Sequence, residues 1–279
     1  MKKLLSIALL ASLGFSAGFT VMPYGSYINY TDNTIKDKAY DTGVYTSYFA
    51  SPFKLEMDGE YLDLKYKNNS PVNDYIEKDL TFVGNYFIKS NYKIKAGIRN
   101  MYINQKYYND KYDKTLILGM LYYKYLKYNG GIETFYSTYD GFNVKQLTPH
   151  IGYYFGNYYS DEGLFYAEAK LNYVHISDRK KAGTNLNNYL NTDLKLVNSQ
   201  GPWSTTLKAS LGKNAYKVSN GGFVVYNLGE EYHYNFGIDV SYALDKTDSI
   251  KVGYSRSKFE ENNKDAYSNV FVASYSLSF

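Results

Sequence analysis

The chain has no cysteine, five prolines, one tryptophan and three histidines among its 279 residues. Without thiols there is neither a disulfide framework nor a thiolate metal site, although an exported chain would meet an oxidising space that permits disulfides. Long apolar runs are missing too. Beyond the first residues no stretch approaches the about 20 that a membrane-spanning helix requires, and the mean hydropathy is −0.46. A helical membrane protein is excluded, whereas spanning strands are not, because their alternating faces average to a modest hydropathy. The formal net charge is only +4, and nothing in it suggests a nucleic-acid partner. No glycine-rich loop follows a strand and opens a helix, so no cofactor is implied.

The C-terminal residues carry the clearest pattern. Phe271, Ala273, Tyr275, Leu277 and Phe279 alternate with Val272, Ser274, Ser276 and Ser278. One oily face and one wetter face, ending on an aromatic residue, describe the closing strand of a transmembrane β-barrel. At the other end, Met1-Lys2-Lys3 is a basic start and Leu4 to Leu13 a short apolar core, followed by small residues at Ser16-Ala17-Gly18. These features describe a secretory signal peptide, so residues 1–18 are read as a leader and 19–279 as a single barrel domain. The 36 tyrosines suit the aromatic girdles where lipid meets water, although an AT-rich genome would also raise tyrosine, so only their positions discriminate.

Alternation between turn signals predicts an all-β, antiparallel up-and-down barrel of about 14 strands, with 12 or 16 as alternatives. The strands are 20–30, 40–50, 53–66, 79–88, 92–103, 115–126, 130–139, 146–156, 163–176, 189–198, 202–212, 232–244, 249–258 and 267–279. Connections alternate long and short, as short periplasmic turns and longer extracellular loops require, and an even count places both termini at the periplasmic side. Three places strain the pattern. Phe53, Leu55 and Met57 lie on the opposite parity to Leu62, Leu64 and Tyr66, which predicts a β-bulge near Gly59. Pro149 falls inside a strand, where a bulge would accommodate it. Phe223-Val224-Val225-Tyr226 reads as part of a hairpin projecting above the membrane or folding over the mouth. Residues 115–126 are apolar on both faces, which leaves their inward set undefined.

A secreted β-sandwich would also show short alternating strands, but it needs neither a terminal Phe nor strands of this length. The leader, the alternating strands and Tyr275-Ser276-Leu277-Ser278-Phe279 resemble the Gram-negative outer-membrane porin class. That resemblance implies an outer-membrane location reached by the general secretory route. It also implies an assembly signal at Phe271, Tyr275, Leu277 and Phe279, read by the barrel assembly machinery. Strand number and length are similar to monomeric fourteen-stranded porins. The fatty-acid transporter type of fourteen-stranded barrel carries an N-terminal plug, whereas strand signals here begin almost at the cleavage site.

Function then rests on the lumen. Barrels of about eight strands fill with their own side chains and those of about sixteen to eighteen hold a channel, so fourteen should leave a pore unless a loop folds in. The inward parity collects Lys93, Lys95, Arg99, Glu133, Glu168, Lys170, Asp193, Lys195, Lys208, Asp239 and Lys251, with Lys54, Glu56, Asp58 and Asn172. This mixed-charge wall predicts passive diffusion of small hydrophilic solutes or ions with a weak anion preference, unless each base pairs with a neighbouring acid. An outer-membrane lipid hydrolase using His175 and Ser177 is the competing class, but Asp178-Arg179-Lys180-Lys181 follows where such enzymes carry Asn and Gly. A closed structural or adhesin barrel is a third. Outer-membrane lipid is the expected surrounding partner, and Arg179, Lys180 and Lys181 suit lipopolysaccharide phosphates. Glu230-Glu231 and Glu260-Glu261 read as solvated loop charge, and no metal ligand set is found.

Overall fold

The structure is a computed structural model that describes residues 18–68, 70, 74–89, 91–105, 110–157, 159–261 and 264–279. The leader expected over 1–18 lies outside the described residues except for Gly18. The strands are β1 (Gly18–Asp32), β2 (Lys36–Ala50), β3 (Phe53–Tyr66), β4 (Tyr75–Ile88), β5 (Tyr92–Gln105), β6 (Lys111–Lys124), β7 (Tyr128–Tyr139) and β8 (Phe142–Asn157). They continue as β9 (Gly163–Ile176), β10 (Asn188–Gln200), β11 (Trp203–Asn214), β12 (Val218–Ser219), β13 (Val224–Val225), β14 (Glu231–Ala243), β15 (Asp248–Glu261) and β16 (Lys264–Ser278). All except β12 and β13 form one closed antiparallel barrel of fourteen strands, and those two pair only with each other. A single helical turn, α1 (Arg179–Ala182), is capped by the Asp178 side chain and ended by Gly183 in the left-handed region.

The seam is a backbone ladder between β16 and β1, running from Thr20 opposite Ser278 to Asp32 opposite Ala266. Phe279 N–H donates to Phe19 O at 2.8 Å, and Phe19 N–H returns the bond at 3.2 Å. Closure leaves no free sheet edge, which is what makes a strand structure viable in hydrocarbon. The side-chain alternation is inverted relative to a water-soluble protein. In β4, Tyr75, Glu77, Asp79, Thr81, Val83 and Asn85 are buried, while Lys78, Leu80, Phe82 and Tyr86 are exposed.

Strands meet through the connections 51–52, 89–91, 125–127, 158–162, 201–202 and 244–247 at one end, here the turn end. At the loop end the connections are 33–35, 67–74, 106–110, 140–141, 177–187, 215–230 and 262–263. Several of these are shorter than expected because β2, β4, β6 and β8 each begin four residues early. Residues such as Lys38, Asn143 and Lys145 extend the ladder after the apolar alternation has ceased, since backbone pairing does not require an oily face.

Two expected bulges are absent. Gly59 pairs with Val44 on one side and Leu80 on the other in unbroken register, so Leu62, Leu64 and Tyr66 continue the inward parity of Lys54 and Glu56. They are apolar because the lumen itself is apolar there, where Ala39, Leu64, Tyr75 and Ile103 form a buried cluster with Ile28, Tyr30, Leu62, Tyr66 and Leu228. At Pro149 the register with β9 also agrees on both sides, Leu147 opposite Tyr173 and His150 opposite Lys170. The exposed proline ring only interrupts the ladder where its N–H is missing. Among the described residues the register shifts instead lie near the loop end, at Lys36/Lys38, Leu211/Asn214 and Tyr232/Tyr234. In β6 the ambiguity resolves with Leu116, Leu118 and Met120 exposed outside and Ile117 buried inside.

Candidate functional site

The connection 215–230 does not project above the barrel or merely cover its mouth. It enters the lumen, and the sequence supplies the means. Asn220, Gly221 and Gly222 all take positive φ, at 49°, 69° and 109°, which reverses the chain tightly between β12 and β13. Glycine at 222 is required twice over, since a Cβ there would lie 2.2 Å from Ile117 Cδ1 and φ already disfavours any side chain. The flanking Val218 and Val225 join Val83, Ile117, Phe135, Val144 and Val174 in a second buried cluster.

Polar anchors on the wall hold the loop. Gln146 accepts from Val218 N–H at 2.7 Å and donates to Val218 O at 2.8 Å, taking the place of a neighbouring strand. Lys217 donates to Asp193 at 2.9 Å, Ser210 at 3.0 Å and Asn191 at 3.1 Å. Arg99 donates to Phe223 O at 2.5 Å while pairing with Asp79. Lys95 donates to Gly221 O at 3.1 Å and pairs with Glu133. Near the end of the loop, Asn227 donates to Glu77 at 2.6 Å and Tyr75 at 3.1 Å, and Glu230 pairs with Lys36. The side chains that bond the loop come from β2, β4, β5, β8, β10 and β11, so it is fastened to strands spread over most of the circumference.

Every sequence-predicted lumen residue faces inward, but the set divides by height. Lys95, Arg99 and Asp193 sit against the loop, so the basic run on β5 serves largely as a clamp and not as the rim of an open pore. Below it, Lys170 lies 3.6 Å from Glu168 and 3.9 Å from Glu133, Lys195 lies 3.0 Å from Glu168, and Lys208 pairs with Asp239. Lys93 and Lys251 have no acidic partner within ion-pair distance among the described residues. Side-chain exposure separates the two zones: 33%, 35% and 48% for Lys54, Lys195 and Lys208, against 3%, 2% and 4% for Lys36, Arg99 and Lys217. Water therefore reaches the charged vestibule at the turn end and is excluded from the loop end. The expected polar, mixed-charge lumen for hydrophilic solutes is corrected to a polar vestibule beneath a loop-filled half in which apolar clusters are interleaved with buried polar anchors.

His175 and Ser177 are engaged separately. His175 Nδ1 lies 2.8 Å from Asn188 Oδ1 on the outer face, and Ser177 Oγ accepts from Asn143 N–H at 2.9 Å. Glu230 and Glu231 are buried, Glu231 accepting from Asn185 N–H at 2.6 Å and Tyr189 O–H at 2.5 Å, so neither is solvated loop charge. Among the described residues no cluster of three or more His, Asp or Glu is arranged to hold a metal. Sequence reasoning missed Gln146, Lys217, Asn227 and the Lys36–Glu230 pair. The available signal was an amide on the inward parity of an otherwise apolar strand end, next to a loop too apolar for water.

Leu55, Phe82, Ile94, Leu118, Leu147, Leu194, Leu207 and Val252 are all exposed on the outer wall, while charged and polar side chains such as Glu77, Asp79, Arg99 and Asn172 are buried inside. A surface of this kind is stable in hydrocarbon and not in water, and the class is a membrane-spanning β-barrel with a lumen closed by its own loop. No protein-family model matches the chain. No curated protein matches it either. Among solved structures it is similar to the CymD monoaromatic hydrocarbon channel, at 10% identity over 94% of this chain and 88% of that one, with a TM-score of 0.62. It is similar to the Ralstonia pickettii toluene transporter TbuX, at 10% identity over 96% and 90%, with a TM-score of 0.60. The Acinetobacter baumannii outer membrane protein Omp33 also shares the fold, at 10% identity over 94% and 97%, with a TM-score of 0.51. At such identities the likeness establishes the barrel fold.

Proposed function

We propose that the chain is a gated channel of the Gram-negative outer membrane, shut by the 215–230 loop and suited at its extracellular end to small apolar molecules. The loop end is then extracellular and the turn end periplasmic. One observation carries the reading: between the polar anchors of the loop-end half, the lumen wall carries apolar side chains that the loop covers, including Met101, Ile103, Ile117, Phe135, Val144 and Leu64. Displacing the loop would uncover an apolar surface facing the outside of the cell, which favours uptake of compact hydrophobic solutes over sugars or ions. The hydrocarbon and toluene transport named for two structural neighbours supports the same substrate class.

The test is reconstitution of the folded chain in planar bilayers and in liposomes, beside a variant in which residues 216–228 are replaced by a short Gly-Ser turn. The intact chain should conduct rarely and the shortened one steadily, and toluene should enter liposomes faster with the intact chain than without it while a disaccharide does not. Steady conductance by the intact chain at the level of the shortened variant would refute closure, and equal rates for both solutes would refute the apolar preference.

A further inference from the structure

The outer wall is chemically different at its two rims. At the turn end the outward strand positions carry aromatic pairs: Phe53–Tyr86 at 5.0 Å between ring centres, Tyr92–Tyr122 at 5.0 Å, Phe155–Phe165 at 5.1 Å and Trp203–Tyr242 at 4.6 Å. Among the described strand residues the one outward cation there is Lys124, the last residue of β6. The loop end has outward aromatic pairs too, Tyr27–Tyr40 at 5.5 Å and Tyr102–Tyr112 at 5.1 Å, but its outward positions also carry Lys38, Lys78, Lys114, Lys145 and Arg256, none with an acidic partner within ion-pair distance among the described residues. Lys65 and Lys258 are already committed, to Asp63 and Asp74 and to Asp265.

The register groups three of these cations on alternate strands, β4, β6 and β8. Lys78 stands opposite Tyr102, which stands opposite Tyr112. Lys114 stands opposite Thr138, Thr138 opposite Asn143, and Lys145 opposite Tyr136 and His175. With strands about 4.8 Å apart and a rise of about 3.4 Å per residue, Lys114 and Lys145 are roughly 12 Å apart at their Cα atoms. Two such side chains can converge on one headgroup; the hydroxyl of Tyr102, between Lys78 and Lys114, is already donated to Asp110 at 2.7 Å.

We infer that this rim is a binding surface for a phosphate-bearing lipid of the outer leaflet, held by Lys78, Lys114 and Lys145. The inference rests on the membrane-spanning orientation proposed above. Lysines on a lipid-facing wall are costly unless an anion meets them at headgroup depth, and ammonium–phosphate hydrogen bonds are the strong, charge-assisted kind. Two leaflets of like chemistry would give no reason for unpaired cations to gather at one rim when aromatic pairs occur at both.

The experiment places the folded chain in lipid nanodiscs and measures binding of bisphosphorylated lipid A, dephosphorylated lipid A and, as competitor, inorganic phosphate. The variants are Lys78→Gln/Lys114→Gln/Lys145→Gln and, on the opposite rim, Lys124→Gln, each checked for folding by circular dichroism and heat-modifiable migration. Affinity for the bisphosphorylated lipid should fall by about two orders of magnitude in the triple variant and be unchanged in Lys124→Gln. The dephosphorylated lipid should bind the intact chain as weakly as the triple variant binds the bisphosphorylated one. Equal affinity of the intact and triple-variant chains, equal affinity for both lipids, or displacement by millimolar inorganic phosphate would each overturn the assignment. A chain that fails to enter the bilayer refutes the spanning orientation, whereas one that enters without a phosphate preference refutes only this surface.

Discussion

Replacing Gln146 with leucine should open the barrel without unfolding it. Gln146 is 2% exposed, as is Val218, and its amide satisfies both the N–H and the carbonyl of Val218 at 2.7 and 2.8 Å. Leucine has similar bulk and bonds to neither. Each buried backbone group left unpaired costs about 1–3 kcal/mol, so the docked loop loses roughly 2–6 kcal/mol. Both groups regain water when the loop leaves, so the cost falls on the docked state alone. At about 1.4 kcal/mol per tenfold, the ratio of docked to undocked loop should fall by between about 30-fold and about 20 000-fold. Single-channel recording reads this as open probability, with the loop-shortened variant marking the fully open level. A folded Gln146→Leu chain as silent as the parent, beside a conducting loop-shortened variant, would refute the claim that this contact holds the loop.

Other outcomes follow from the same geometry. Gly222→Ala should also raise open probability, because its Cβ meets Ile117 and its φ is 109°; adding Ile117→Ala should recover only the steric part, and no change in either variant would mean the tip does not bear on β6. Phe279→Ala retains the backbone bonds to Phe19 but removes the ring packed 6.5 Å from that of Phe19. It should lower the yield of heat-resistant folded barrel in refolding, and an unchanged yield would remove the ring from closure of the seam. In the 244–247 turn, Asp245 accepts from Thr247 N–H, Thr247 O–H and Asp248 N–H at 2.7–2.8 Å, and the Thr247 backbone bond leads in holding its carboxyl below the usual range. A depressed folded value means the turn's added stability is present above about pH 4 and is lost as pH falls through that value. The difference in melting temperature between the parent and Asp245→Ala should therefore shrink on acidification, and a constant difference from pH 7 to pH 2 would contradict it.

Much of the wall is legible in the sequence because a strand's side chains alternate with period two whatever surrounds it. Tyr92, Ile94, Ala96 and Ile98 on one parity, with Lys93, Lys95 and Arg99 on the other, define β5 and both its faces without knowledge of any neighbour. The bulge expected at Gly59 shows where that reasoning stops. It assigns apolar residues to lipid, yet Leu62 and Leu64 are apolar because Leu228 and its neighbours reach them from inside. The inward direction of the charged residues was likewise readable. Whether they line a pore or clamp a loop was not, since Lys95 and Glu133 are 38 residues apart and Arg99 and Phe223 are 124 apart.

Local alternation and turn chemistry alone thus determined the strand count, the antiparallel order and the oily exterior, because each is a property of a few consecutive residues and of backbone pairing between neighbours in sequence. The closed lumen was decided only by the tertiary structure. An apolar segment such as Phe223-Val224-Val225-Tyr226 needs a dry place. Which dry place it takes depends on partners brought together by barrel closure: Gln146 on β8, Asp193 on β10, Glu77 on β4 and Lys36 on β2.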